Sequence, residues 1–151
     1  MHIQLFMQQN PNSLSENPLY LAGELTHRFH KRLTHAFRKA KLGVTVEQFS
    51  VLALLYYQDS LTQQEIAEAL GRDKATITRI LHIMERELLL ERADDARDKR
   101  SKRVALTALG KQKQEEMVQI SGALYFEILA DIPKEQVQAT CSTLAQMLKQ
   151  V

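Results

Sequence analysis

A chain of 151 residues with 44% apolar side chains is long enough for one domain with a sizeable core. Its 20 basic and 18 acidic residues leave a net charge of +2, so bulk charge does not mark a nucleic-acid binder. One cysteine, Cys141, excludes a disulfide framework within the chain, and no apolar run approaches the ~18 residues of a membrane span. The opening MHIQLFMQQNPNS has neither a basic n-region nor an apolar h-region, so the expectation is a soluble, cytoplasmic protein. Charge is distributed unevenly. Residues 45–71 carry four acids and no base, residues 27–44 six bases and no acid, and residues 97–103 (RDKRSKR) five bases against one acid. Such concentrated segments attract phosphate locally even in a nearly neutral protein.

Residues 1–16 show no clean period and read as a tail or arm. Asn17-Pro18 reads as the N-cap and first residue of a long helix. Along it Leu21, Leu25, Phe29, Leu33 and Phe37 recur every four residues, and Gly43 is expected to stop it. Glu24, His27 and His30 lie three apart, with His35 further on. Helical spacing alone sets neither a ligand count nor the supporting hydrogen bonds, so exposed or hydrogen-bonded histidines are expected rather than a zinc site. The basic run Arg28 to Lys41 reads as a solvated face.

The next two helices announce their starts. Thr45 with Gln48 and Thr62 with Glu65 are capping boxes, with Val44/Phe49 and Leu61/Ile66 as hydrophobic staples. Phe49, Leu52, Ala53, Leu55 and Tyr56 make the expected buried face of the first, and the second ends at Gly71. Asp73 then caps DKATITRILHIMERELL. Wound at the helical period, Ile77, Ile80, Leu81, Met84 and Leu88 fall on one side. Ala75, Arg79, His82 and Arg86 fall on the other, flanked by Thr76 and Thr78 and preceded by Lys74. A helix, a short turn with glycine and an outward polar helix make a helix-turn-helix. The outward face suits a B-DNA major groove: arginine pairs with guanine, and Ala or Thr methyl touches the thymine methyl.

After Leu90 the period becomes two. ERADDARDKRSKRVALT reads as a strand, a charged tip from Ala93 to Arg103 too polar to join a core, and a strand with Val104 and Leu106. The tip cations Arg97, Lys99, Arg100, Lys102 and Arg103 are suited to following phosphates or entering a narrow minor groove; a solvated hairpin is the plainer alternative. Thr107 begins a helix through about Asp131, and Pro133 opens a last one with Val137, Cys141, Leu144 and Leu148 on one face. Cys141 has no cation beside it on that face, so a buried interface cysteine is expected rather than a redox switch. No G-x-S-x-G, H-E-x-x-H or phosphate-binding glycine loop occurs, so neither an enzyme nor a cofactor is expected.

ATITRILHIMEREL followed by D-x-x-DKRSKRVALTALG resembles the recognition helix and wing of the MarR family of bacterial transcription regulators, over roughly residues 18–150. The wing likeness rests on Asp95, Asp98, Lys99, Arg100, Ser101, Val104, Leu106, Thr107 and Gly110. The resemblance implies a mainly α fold with a small β wing. A winged helix-turn-helix would occupy residues 45–106, and residues 17–44 and 107–151 would form entwined dimerisation helices. It further implies a homodimer that binds a pseudo-palindromic operator in double-stranded DNA as a repressor. The implied DNA-binding residues are Lys74, Ala75, Thr76, Thr78, Arg79, His82, Arg86, Arg97, Asp98, Lys99, Arg100 and Lys102, with Asp98 orienting Arg100 through a salt bridge. A small phenolic or anionic effector is implied between the dimerisation helices and the DNA-binding lobe, with Phe29, His30 and Tyr56 as candidate lining. The family's peroxide sensors carry a cysteine near the start of the first helix, and residues 1–44 have none. Leu88 stands where the family usually has glycine, so the turn into the wing is expected to be built differently; Ala96 replaces the usual wing proline. The competing readings are a winged-helix protein-interaction module and a metal- or redox-responsive regulator. Five bases in seven residues at the tip argue against the interaction module.

Overall fold

The computed structural model describes residues 14–96 and 102–151. A 3-10 turn, Leu14–Glu16, leads into α1 (Pro18–Lys39) and α2 (Val46–Tyr57). β1 (Leu61–Thr62), α3 (Gln63–Leu70) and α4 (Lys74–Arg86) follow, then β2 (Leu90–Asp94), β3 (Lys102–Leu106), α5 (Ala108–Leu129) and α6 (Lys134–Leu148).

Five of the helix starts are fixed by side chains that accept from orphan backbone N–H groups. Asn17 Oδ1 accepts from Leu19 and Tyr20, and both predicted capping boxes close reciprocally. Asp73 and Thr107 cap α4 and α5. α6 begins behind Pro133 with no side-chain cap.

Three helix ends turn through a left-handed residue, and only one of these is glycine: Lys41 (φ 54°), Gly71 (φ 57°) and Leu88 (φ 58°). Each is followed by the long bond that closes a Schellman turn: Leu42 N–H to Phe37 O, Arg72 N–H to Ala67 O, and Leu89 N–H to Met84 O. Two expectations are corrected here. α1 is stopped at Lys41, with Gly43 making a second left-handed turn just beyond. The turn after α4 is the ordinary left-handed one, with Leu88 strained into it at a cost of about 1–2 kcal/mol. Leu88 therefore leaves the apolar face of α4 and is 69% exposed.

The sheet has the order β1-β3-β2, all antiparallel. Leu90 pairs with Leu106 and Asp94 with Lys102, so the strands reach further than the sequence suggested. Ala93, Asp94, Lys102 and Arg103, expected in the tip, belong to the ladder. β1 pairs Leu61 with Val104 and Thr62 with Arg103 across forty intervening residues, a contact no local pattern announces.

The core gathers Leu33 and Phe37 of α1, Val51, Leu52 and Leu55 of α2, Ile66 of α3, and Ile77, Leu81 and Met84 of α4. Val104 and Met117 join it. Each such side chain withdrawn from water contributes about 1.5–3 kcal/mol. Tyr56, expected on the buried face of α2, is half exposed; Val51 takes its place. α5 packs on α1 and α2 and is tied to α2 by the buried Gln114, whose Nε2 donates to Leu52 O at 2.6 Å. Gly110 is required at its start, because a Cβ there would stand 1.8 Å from Leu89 O.

Candidate nucleic-acid interface

α4 is presented outward because its other side is fully used. Ile77, Leu81 and Met84 have no accessible surface and Ile80 almost none. Lys74, Ala75, Thr78, Arg79, His82 and Arg86 are exposed, and Thr76 is half-buried. At the front end, Asp73 accepts from Thr76 N–H at 2.8 Å and from Thr76 Oγ1 at 2.6 Å. The Thr76 hydroxyl bond, with the backbone bond behind it, holds the Asp73 carboxyl below its ordinary pKa. The Thr76 hydroxyl is thus engaged in the cap.

Thr78 is engaged as well. Its Oγ1 donates to Lys74 O at 2.7 Å and accepts from Gln63 Nε2 at 2.6 Å. Gln63 Oε1 in turn accepts from Arg92 Nη1 of β2 at 3.4 Å. One amide therefore links α3, α4 and the wing. Neither Gln63 nor Arg92 stood out in the sequence; the only signal was that Gln63 opens the helix before the turn.

Arg79 borders a hollow of ≈280 Å³ that also contains Thr45, Glu47, Gln48 and Ile83. Glu47 there is held below its ordinary pKa, first by its own backbone N–H and then by Thr45, with smaller contributions from Arg79 and Arg72. His82 and Arg86 follow Arg79 along the helix at about 4.5 and 10.5 Å of rise.

Of the predicted wing residues, Arg97, Asp98, Lys99 and Arg100 lie outside the described residues. Lys102 is exposed on β3, and its Nζ pairs with Asp94 across the ladder. Arg103 faces inward. Its guanidinium donates to Asp95 Oδ2 at 2.9 Å, Ser60 Oγ at 3.1 Å and Ser60 O at 2.5 Å, with Glu65 Oε2 at 3.9 Å. Asp95 is buried beneath it. The residue read as a tip cation is a clamp between the wing and the start of α3.

The candidate effector residues separate. Phe29 and Tyr56 line one cavity of ≈530 Å³, together with Phe49, Tyr57 and Tyr125. His30 lines another of ≈790 Å³ between α1 and the start of α2. Of the spaced set Glu24, His27 and His30, Glu24 is held by Arg28 at 2.6 Å, and no group of three metal-ligating side chains occurs among the described residues. Cys141, expected buried, is exposed within the single chain beside Tyr125, Phe126 and Val137.

A capped outward helix, a preceding helix turned through Gly71 and a hairpin laid against both define a winged helix-turn-helix protein. Residues 44–102 match the MarR family, and over that stretch the chain is similar to its members. Over 84 residues it is 34% identical to the organic hydroperoxide resistance transcriptional regulator of Bacillus subtilis, covering 56% of this chain and 57% of that protein. The match thus spans little more than half of that relative's length. The S. aureus MepR–DNA complex superposes with a TM-score of 0.80 at 28% identity, over 91% of this chain and 99% of that one. CouR from Rhodococcus jostii RHA1, bound to p-coumaroyl-CoA, superposes with a TM-score of 0.81 at 23% identity, over 90% and 94% of the two chains, a likeness of fold. No described helix is long and apolar enough to cross a membrane.

Proposed function

We propose that the chain is a cytoplasmic, homodimeric, sequence-specific DNA-binding regulator that occupies a pseudo-palindromic operator and represses transcription. The observation that carries this reading is α4: its apolar side is spent in the core while Lys74, Ala75, Arg79, His82 and Arg86 stand free on one outward face. Arg79 is the base reader, with Ala75 and the methyl of Thr78 as apolar contacts. His82 and Arg86 meet phosphates. Because the hydroxyls of Thr76 and Thr78 are held within the protein, these two residues position the helix more than they read bases. At the tip, Arg97, Lys99 and Arg100 follow the backbone, with Asp98 orienting Arg100.

A dimer is supported by the terminal helices. α6 buries no residue, and Leu19, Leu21, Leu25 and Leu148 are exposed along the same part of the molecule. Two-fold symmetry sets two copies of α4 into successive major grooves about 34 Å apart. A small effector that favours a dimer with the wrong spacing releases the DNA. Peroxide sensing, the role in the name of the Bacillus subtilis relative, is not part of the proposal: the single cysteine, Cys141, sits at the far end of the chain.

The test is fluorescence anisotropy on duplex DNA from upstream of the protein's own gene, with excess nonspecific competitor and a salt series. Competitor-resistant binding by a dimer with a steep salt slope is expected. Arg79→Ala is expected to cost about 1–3 kcal/mol and to relax preference at one base pair. An equal loss on every sequence would make Arg79 a phosphate contact. No binding even at low salt would leave the wing as a protein-interaction surface.

A further inference from the structure

Among the described residues Arg79 makes no hydrogen bond or ion pair, so the direction of its guanidinium is set by the helix that carries it. That helix is held along both edges. Counting about 100° per residue from Thr78, Glu85 falls within about 20° of it and Glu87 about 180° away. Arg79 lies about 100° round, near the middle of the outward face. On the first edge, Thr78 Oγ1 accepts from Gln63 Nε2 at 2.6 Å. Arg92 reaches the same edge twice: its Nε lies 3.3 Å from Glu85 Oε2, and its Nη1 donates to Gln63 Oε1 at 3.4 Å. On the second edge, Gln48 Nε2 donates to Glu87 Oε2 at 2.6 Å.

The anchors are themselves fixed. Gln48 is buried, and its Oε1 accepts from Thr45 N–H at 2.8 Å, so both ends of its amide are engaged. Gln63 is half-buried with both amide atoms engaged. Arg92 Nε is buried without an aligned hydrogen-bond partner, which leaves the Glu85 carboxylate as its compensation. Recognition groups need to be held within about 0.5 Å and 10–20° by side chains that are locked from behind. At about 5–6 Å from a helix axis, an angular error of about 10° moves a side chain by about 1 Å. That is enough to lose one bond of a bidentate contact with guanine.

We infer that Gln48, Gln63 and Arg92 are positioning residues that aim Arg79, and that they set how sharply one base pair is discriminated without touching DNA themselves. The inference rests on the DNA-binding reading of α4. Attraction to phosphate depends on charge and much less on angle, so loss of these bonds lowers specificity and spares nonspecific affinity.

The test is competition anisotropy against duplexes substituted at each base pair of the bound site. The pair at which Arg79→Ala loses preference is the reporter. Gln63→Met is expected to lower preference there by about fivefold, a part of what a bidentate contact discriminates, with nonspecific affinity and salt slope unchanged. Thr78→Val keeps the methyl, removes the hydroxyl and is expected to match it, which decides the matter even if one variant fails to fold. Arg92→Met and Glu87→Ala are expected to act in the same direction and more weakly. In the Arg79→Ala background, Gln63→Met is expected to change nothing further at that pair. Full preference in Gln63→Met and Thr78→Val, an equal loss on every sequence, or losses that add to that of Arg79→Ala would overturn the inference. A salt slope reduced by about one in Arg92→Met would make Arg92 a phosphate contact and remove it from the set. If the wild type binds no DNA, the DNA-binding reading fails and takes the inference with it; variants that discriminate as well as a discriminating wild type sink the inference alone.

Discussion

From Val44 to Gly110 every helix finds its apolar partners within the chain: Val51, Leu52 and Leu55 on α2, Ile66 and Ala67 on α3, and Ile77, Ile80, Leu81 and Met84 on α4 are all buried. The ends of the chain have hydrophobic patterning of the same kind without the burial. α6 buries nothing, Leu21 and Leu25 of α1 face water, and so do Tyr125 and Phe126 of α5. A periodic stripe therefore specifies that a face will be covered but not by whom. In the middle the cover is intramolecular; at the ends the described residues leave the stripe open, and the proposed second chain would supply its cover.

The largest expected effect comes from breaking the ends. Leu25 and Leu144 border one hollow between α1 and α6. Each leucine withdrawn from water is worth about 1.5–3 kcal/mol, counted twice across a two-fold axis. Leu25→Asp/Leu144→Asp is expected to shift sedimentation from dimer to monomer while the circular dichroism of the central lobe persists. A variant that remains dimeric would move the interface elsewhere. Next comes the middle. Gly110→Ala drives a Cβ toward the Leu89 carbonyl, and a loss of about 3 kcal/mol is expected, the upper end for overpacking. At about 2–4 °C per kcal/mol, thermal unfolding would register it readily. An unchanged melting temperature would mean that the β2–α5 junction yields more easily than its geometry suggests.

A smaller change sharpens the comparison in the other direction. Leu88→Gly relieves a left-handed strain while removing a side chain that is largely in water, so a gain of about 1 kcal/mol in denaturant unfolding is expected. The smallest effect is electrostatic. Glu47, Glu65 and Asp73 have depressed carboxyl pKa values in the folded state. Their contribution is complete above the ordinary carboxylate range and is lost as pH falls through the depressed values. Stability should therefore decline between about pH 5 and about pH 2. Asp73→Asn, which still accepts the cap bond, should flatten that decline; an unchanged acid limb would mean the cap contributes the same whether charged or neutral.

What was legible in the sequence was local. The capping boxes at Thr45 and Thr62, the caps at Asn17 and Asp73, the helix start at Thr107, and the buried stripe of α4 apart from Leu88 each depend on residues a few positions apart, and all appear in the fold. Pairings across long separations were not legible. β1 exists because Leu61 meets Val104, and Arg103 turns inward because Ser60, Glu65 and Asp95 surround it. The candidate DNA face was readable as a list of side chains, but not the internal bonds that occupy the Thr76 and Thr78 hydroxyls. His30 was grouped with Phe29 and Tyr56 as candidate lining of the effector site that the family resemblance implies. Consecutive residues point in different directions, however, and His30 opens into a different cavity.

The Gln63 amide has a kinematic consequence. It donates to Thr78 on α4 and accepts from Arg92 on β2, while Thr107 fastens the Leu88 carbonyl to the start of α5. A roll of α4 about its own axis would break the first bond, and a swing of the hairpin would break the second. Helix and wing therefore travel as one lever. A pivot that carries the whole lobe breaks neither bond, so a displacement where α5 and α1 leave it would reach the face of Arg79 with helix and wing in register.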